Sequence, residues 1–376
     1  MAGKILMRGT HVLGEAAVRA GCRAYFGYPI TPQNELPEFM ATAFSKMEKA
    51  VFVQAESELA SINMVIGASA TGARVMTSSS SPGISLKQEG ISYLAGMELP
   101  AVIVNMMRGG PGLGNIAPSQ GDYFQATKGG GHGDYRVIVL APAYGQEIAD
   151  MTRSAFDLAD YYRMPVMILG DGMMGQMMEP VVLPEPIDPA SLPAKEWILD
   201  GARNRKSRTV RSLWLDPDLL EELNWRLVRK YEMITNTIAD QELYLTDDAE
   251  LIIAAYGTAA RIAKGGVQRV RETGLKVGLF RPKTLWPFPS EALVKLSRRV
   301  DHIVVFEMST GQMVEDVRLA VEGRCEVSFY GRPGGVVSNP EEIARVLTST
   351  YHKMKSARGP GSGAHSSGTL KAMGST

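Results

Sequence analysis

The stretch from residue 51 to residue 83 most constrains what this chain can fold into. It opens on the apolar run Val51-Phe-Val53 and passes directly into Gln54-Ala-Glu-Ser-Glu58. Leu59, Ile62, Ile66 and Ala70 follow at close to helical spacing, which predicts a helix over residues 58–70. A second strand is predicted over residues 74–77, with serines at 78–81 and Pro82-Gly83 closing the turn after it. Strand, helix and strand at this spacing make a βαβ unit, which requires a parallel sheet. Ser57 suits a helix cap and Glu58 suits the positive end of the helix dipole. That structural role alone accounts for Glu58. The same strand-to-helix junction also lies at the sheet edge where ligands bind in open α/β folds.

The rest of the chain repeats the pattern. Strands are predicted at 24–26, 100–105, 137–140 and 165–169, and helices at 9–20, 33–44, 86–96 and 146–162. Residues 1–8 read as a strand or an arm. The alternation describes a doubly wound, mostly parallel α/β sheet over residues 1–170. Residues 171–249 read as an extended linker, rich in Pro and Met, followed by a charged helix over 213–239. A second α/β domain is predicted over 250–352. Residues 353–376 become rich in Gly and Ser and are expected to be a disordered tail.

Composition removes several classes of function. Lys+Arg and Asp+Glu number 40 each, so bulk attraction to nucleic acid or to an anionic membrane is not expected. Two cysteines, Cys22 and Cys325, cannot hold an iron–sulfur cluster or a Cys-based zinc site. The five histidines show no metal-ligand spacing. No run of eighteen apolar residues and no signal segment is seen, so a soluble cytoplasmic protein is expected. The Gly110-Pro-Gly-Leu-Gly114 loop lacks dinucleotide-fingerprint spacing, which weighs against a nicotinamide dehydrogenase.

Polar residues recur at the predicted carboxyl ends of strands. Thr31 follows the first strand, Glu58 the second, Thr77 to Ser81 the third and Arg108 the fourth. One sheet edge therefore gathers a carboxylate, hydroxyls and a guanidinium. Arg108 among glycines suits bidentate capture of a carboxylate or phosphate. For Thr31, a helix cap before Pro32 is an equal reading. Asp122 and His132 read as solvated loop residues.

The motifs Gly27-Tyr-Pro-Ile-Thr-Pro32, Gln54-Ala-Glu-Ser-Glu58, Met76-Thr-Ser-Ser-Ser-Ser-Pro-Gly83 and Arg108-Gly-Gly-Pro-Gly-Leu-Gly114 recur in order. Ser119-Gln-Gly-Asp122, Lys128-Gly-Gly-Gly-His132 and Phe280-Arg-Pro-Lys-Thr-Leu-Trp-Pro-Phe-Pro289 follow them. Together they resemble the alpha subunit of 2-oxoacid:ferredoxin oxidoreductases, of the 2-oxoisovalerate (branched-chain) or 2-oxoglutarate type, over residues 5–350. The resemblance implies a thiamine diphosphate-binding fold of the pyrimidine type, with a transketolase C-terminal-like second domain. It implies oxidative decarboxylation of a 2-oxoacid with coenzyme A to acyl-CoA, carbon dioxide and reduced ferredoxin. The favoured substrate is 3-methyl-2-oxobutanoate, with 2-oxoglutarate next. A beta subunit would carry the diphosphate-binding half, Mg2+ and an iron–sulfur cluster, and gamma and ferredoxin-like subunits would complete the assembly.

By the same resemblance Glu58 faces the pyrimidine ring of thiamine diphosphate, and Thr31 and Arg108 hold the 2-oxoacid carboxylate. Pro29, Thr77 and Ser79 join Glu58 in binding the cofactor. Glu56 lies two residues off the matching position. Asp171 is not expected to bind magnesium, because Gly170-Asp-Gly172 lacks the partner asparagine of a diphosphate site. The alternative is a non-catalytic scaffold that keeps the fold; it would show a lost site residue, and none is lost.

Overall fold

A computed structural model describes residues 3–357. The first unit runs β1 (Ile5–Arg8), α1 (Gly9–Arg19), β2 (Ala24–Gly27), α2 (Glu35–Phe44), β3 (Val51–Gln54), α3 (Glu58–Ala70), β4 (Val75–Ser79), α4 (Pro82–Gly96), β5 (Ala101–Met107), α5 (Tyr123–Thr127), β6 (Ile138–Leu140), α6 (Gly145–Tyr162) and β7 (Pro165–Asp171). Then come α7 (Gly172–Gln176), β8 (Met178–Val181) and the long helix α8 (Pro217–Ile238). The second unit runs β9 (Gln241–Tyr244), β10 (Leu251–Ala254), α9 (Gly257–Glu272), β11 (Val277–Pro282), β12 (Thr284–Trp286), α10 (Ser290–Ser297), β13 (His302–Glu307), α11 (Met313–Val321), β14 (Glu326–Gly331) and α12 (Pro340–Ala357).

Seven strands form the first sheet in the order β12-β6-β7-β5-β4-β2-β3. All pairs are parallel except β12 with β6. The central strands β5 and β7 are buried along their whole length, as expected of strands covered by helices on both faces. Along β5, Ala101, Ile103 and Met107 enter one core, while Val102, Val104 and Met106 enter the core on the opposite face. That is the period-two alternation of a strand. The first of these cores continues into the second unit through Tyr256, Phe280 and Ile303. The second sheet has the order β14-β13-β10-β11-β9, with only β9 antiparallel.

Thr284 and Trp286 of the second unit pair with Leu140 and Val139 and put a strand on the edge of the first sheet. Two expectations change in detail. Residues 171–249 are not simply a linker: β8 pairs antiparallel with β1, and β9 joins the second sheet. These strands, Met178-Glu-Pro-Val181 and Gln241-Glu-Leu-Tyr244, carry charged residues and a proline in place of the apolar run that marks β3. The terminal helix extends to Ala357, so residues 353–357 are helical. The rest of the expected tail, 358–376, lies outside the described residues.

Candidate active site

Strand β2 pairs with β3 on one side and β4 on the other, so chain order reverses between β2 and β4. Such a switch point leaves a crevice at the carboxyl ends of the strands. Glu58 opens α3 beyond β3. Ser57 caps that helix, accepting from the Ala60 N–H at 3.2 Å, so capping does not require the Glu58 side chain. Glu58 is buried, and Ser79 at the end of β4 donates to its Oε1 at 3.3 Å. Glu56 is exposed and takes a bond from Ser57. The two carboxylates that the sequence placed side by side are thus separated by burial.

Gly83 faces Glu58 from the first turn of α4. A Cβ there would run into Glu58 Oε1 and Ser79 Oγ. The missing side chain is what lets α4 start so close to the carboxylate. One turn on, Lys87 is fully buried, with Nζ donating to Ser61 Oγ and, at 2.8 Å, to Thr77 Oγ1. The sequence reading missed Lys87. Its signal was spacing: Gly83, Lys87, Gly90, Ile91 and Leu94 lie on the buried face of α4.

Beyond β5, Arg108 pairs with Pro118, and the loop between them closes through Gly109 N to Ala117 O and Asn115 N to Gly109 O, each 2.9 Å. Gly114 stands at φ +61°, against the Gly109 carbonyl, where a Cβ has no room. Arg108 is buried, donating through Nη1 to the Thr31 carbonyl at 3.0 Å and through Nη2 to the Leu113 carbonyl at 3.2 Å. Its Nε is buried without a partner. Arg108 and Thr31 therefore meet through the Thr31 backbone, while the Thr31 side chain and Pro29 are exposed.

Asp122 corrects the sequence reading. It is not a solvated loop residue: Ser81 Oγ donates to it at 2.6 Å and Asn105 Nδ2 at 2.9 Å. Burial raises its carboxyl above the ordinary range, with both bonds acting in the other direction. These bonds also fix Ser81, which sits at φ 22° before α4 and donates its N–H to Asn105 Oδ1 at 3.1 Å. A non-glycine residue in that region is strained, and the surrounding bonds hold it there. His132 is exposed, as read. Thr77 and Ser79 are fully buried, with hydroxyls bonded to Lys87 and Glu58. Both hydroxyls thus brace the two buried charged side chains of this sheet edge.

A cleft of about 700 Å3 opens beside Thr31, lined also by Pro32, Glu35, Ile116, Met173 and Val337 among others. Larger clefts of about 850 and 890 Å3 lie against α8 and α10 and around Trp197, away from this sheet edge.

Residues 15–210 match the family model described as pyruvate flavodoxin/ferredoxin oxidoreductase, thiamine diphosphate-binding, and residues 249–343 match pyruvate:ferredoxin oxidoreductase core domain II. The chain is 51% identical over 330 residues to ketoisovalerate oxidoreductase subunit VorB of Methanothermobacter thermautotrophicus, covering 88% of this chain and 93% of that one. It is 35% identical over 373 residues to 2-oxoglutarate synthase subunit KorA of the same organism, covering 92% and 99%. The chain belongs to the 2-oxoacid:ferredoxin oxidoreductase family. A solved 2-oxoglutarate:ferredoxin oxidoreductase from Magnetococcus marinus superposes with a TM-score of 0.83 at 27% identity, covering 93% of this chain and 66% of that one. A split-gene transketolase shares the fold, with a TM-score of 0.56 at 12% identity.

The residues present fit the pyrimidine end of thiamine diphosphate, the cofactor of this family. Glu58 is a buried carboxylate whose Oε1 faces a glycine in place of a side chain, and Ser80 Oγ nearby on the β4–α4 turn is buried without a partner. Among the described residues no group of three or more His, Cys, Asp or Glu is placed to hold a metal ion. Asp171 caps α7, accepting from Met173 N at 3.0 Å and Met174 N at 3.2 Å. Among the described residues no helix is long and apolar enough to cross a membrane.

Proposed function

We propose that this chain is the catalytic alpha subunit of a multi-subunit 2-oxoacid:ferredoxin oxidoreductase. The observation that carries the reading is Glu58, buried at the switch point with Ser79 as its hydrogen-bond partner and the bare Cα of Gly83 before it. The reaction is oxidative decarboxylation: the 2-oxoacid loses carbon dioxide, its acyl group passes to the coenzyme A sulfur, and both electrons pass to ferredoxin. Bound thiamine diphosphate supplies the carbanion chemistry, and the protein supplies orientation and electrostatics. Glu58 would hold the pyrimidine end of the cofactor through its buried carboxylate, and Ser79 fixes the rotamer of that carboxylate. Arg108 and Thr31 hold the 2-oxoacid carboxylate, with the unpartnered Nε of Arg108 in reserve for an anion. Pro29, exposed on the same loop as Thr31, would add to the binding surface for the cofactor.

The substrate is 3-methyl-2-oxobutanoate. Two features support this: the greater identity to a ketoisovalerate oxidoreductase subunit and the cleft beside Thr31. Pro32, Ile116, Met173 and Val337 suit a branched apolar side chain, and Glu35 on the same wall, paired with Arg8 at 3.5 Å, offers no cation to the second carboxylate of 2-oxoglutarate. A beta subunit brings the diphosphate-binding half with Mg2+ and an iron–sulfur cluster, and gamma and ferredoxin-like subunits relay the electrons.

The test is co-expression with the beta partner and 2-oxoacid-dependent reduction of a viologen dye. Glu58→Ala and Glu58→Gln are each expected to lower kcat by 100-fold or more, about 3 kcal/mol of transition-state stabilisation. Wild-type turnover in either variant removes Glu58 from the reaction.

A further inference from the structure

Lys87 is a fully buried cation to which the family chemistry assigns no part. Its Nζ makes two bonds, to Ser61 Oγ and Thr77 Oγ1, and an ammonium has three protons to give. Helical side chains lean toward the N-terminus of their own helix. From Lys87 that direction is toward Gly83, whose open Cα faces the Glu58 carboxylate. Ser61 lies one turn beyond Glu58 on α3 and donates to the Glu58 carbonyl at 2.9 Å. The two charges therefore lie on either side of the seam between α3 and α4 without a direct ion pair, and Ser61 stands between them, bonded to Nζ and to the Glu58 carbonyl. The groups bonded to Nζ are neutral hydroxyls, one from α3 and one from β4, and the neighbouring Glu89 on α4 is exposed, so Glu58 is the charge that acts on it. A buried cation without hydrogen-bonded partners or a counter-charge is costly.

We propose that Lys87 is a positioning residue that supplies the counter-charge for Glu58 until the pyrimidine ring arrives, and then releases the carboxylate by giving up a proton to solvent. This rests on the assignment of Glu58 above. The proton balance is simple: the Nζ–H bond breaks, the amine keeps the electron pair, and one proton leaves the site. Burial pushes Lys87 down to about 7, with the charge of Glu58 acting in the other direction, so the exchange falls at working pH.

The first readout needs no bound cofactor. In the unfolded chain the lysine keeps its ordinary value of 10.5. Between about 7 and 10.5 the unfolded state holds the extra proton, so stability rises with pH across that window. Thermal melting of the full chain from pH 6 to 10.5 is expected to show this rise, to lose it in Lys87→Met, and to show it starting at lower pH in Glu58→Gln. A rise that persists in Lys87→Met, or does not move in Glu58→Gln, overturns the proposal.

The second readout uses the assembled enzyme. Thiamine diphosphate binding near pH 7, followed by calorimetry in buffers of different ionisation enthalpy, is expected to release a proton from wild type and none from Lys87→Met. Wild-type kcat is expected to climb as pH rises through about 7. Lys87→Arg, which keeps its charge at every pH, is expected to stay about tenfold lower without recovery at pH 8. Ser61→Ala removes a bond to the charged form and is expected to move the acid limb down by about half a unit. An unmoved limb in Ser61→Ala, or a wild-type profile in Lys87→Arg, sinks the proposal. Wild-type turnover by Glu58→Ala would instead refute the assignment of Glu58 on which it rests.

Discussion

At the scale of single residues, the site depends on small clearances around one carboxylate. Gly83→Ala would put a methyl into Glu58 Oε1 and Ser79 Oγ. Overpacking of this kind costs about 1–3 kcal/mol. The expected outcome is a lowered denaturant midpoint together with a kcat drop of at least tenfold, because the atom displaced is the one assigned to the ring. Arg108 offers a second case. Its Nη1 and Nη2 bridge two backbone carbonyls that lie on different loops. Lysine brings a single point charge and cannot span them. Arg108→Lys is expected to raise KM for the 2-oxoacid by tenfold or more, read in steady-state assays of the assembled enzyme, with a smaller change in KM for coenzyme A.

At the scale of elements, the motif Phe280-Arg-Pro-Lys-Thr-Leu-Trp-Pro-Phe-Pro289 turns out to be a clasp between the two sheets. Arg281 on β11 is buried and pairs with Glu147 of α6 and Glu242 of β9. Three residues later β12 leaves its own unit and pairs with β6, and Trp286 packs edge-on against Tyr231 of α8. Burial raises the Glu242 carboxyl, but the Lys264 hydrogen bond and the Arg281 charge outweigh this and hold it below the ordinary range. Removing the shared cation leaves both carboxylates without it. Arg281→Met is expected to cost about 3 kcal/mol, measured as a shifted urea midpoint. Helices α1, α2, α3, α4 and α6 were legible because each carries its apolar residues over ten positions or more, whereas the five-residue α5 was not. The strands β8, β9 and β12 were not, since Met178-Glu-Pro-Val181, Gln241-Glu-Leu-Tyr244 and Thr284-Leu-Trp286 carry no apolar run like that of β3, and their pairing partners are far along the chain.

At the scale of the whole molecule, the glycine-rich loop after β5 is held by the second unit. Gln120 Nε2 donates to the Tyr256 carbonyl at 2.9 Å and its Oε1 accepts from Met308 N at 3.0 Å, while Tyr123 OH donates to Asp316 at 2.6 Å. The second unit thus braces the loop that carries Arg108. Leu113 and Ile116 on that loop stay exposed, which fits a surface completed by a partner chain. The purified chain alone is expected to show no 2-oxoacid-dependent viologen reduction. Reconstitution with the beta partner should restore it, and a substrate panel should give 3-methyl-2-oxobutanoate the highest kcat/KM. A preference for 2-oxoglutarate would contradict the reading of the Glu35 wall.

Sequence by itself determined the local units: strand, carboxylate and helix at residues 51–70, and the choice of Glu58, Thr31 and Arg108 as candidates. These follow from neighbours within one or two turns of chain, where periodicity and capping act directly. Only tertiary structure decided which of Glu56 and Glu58 is buried, that Asp122 is bonded to Ser81 and Asn105, and that Lys87 lies beneath the site. Those outcomes depend on which helix packs against which strand end, and burial is set by that packing rather than by residue type.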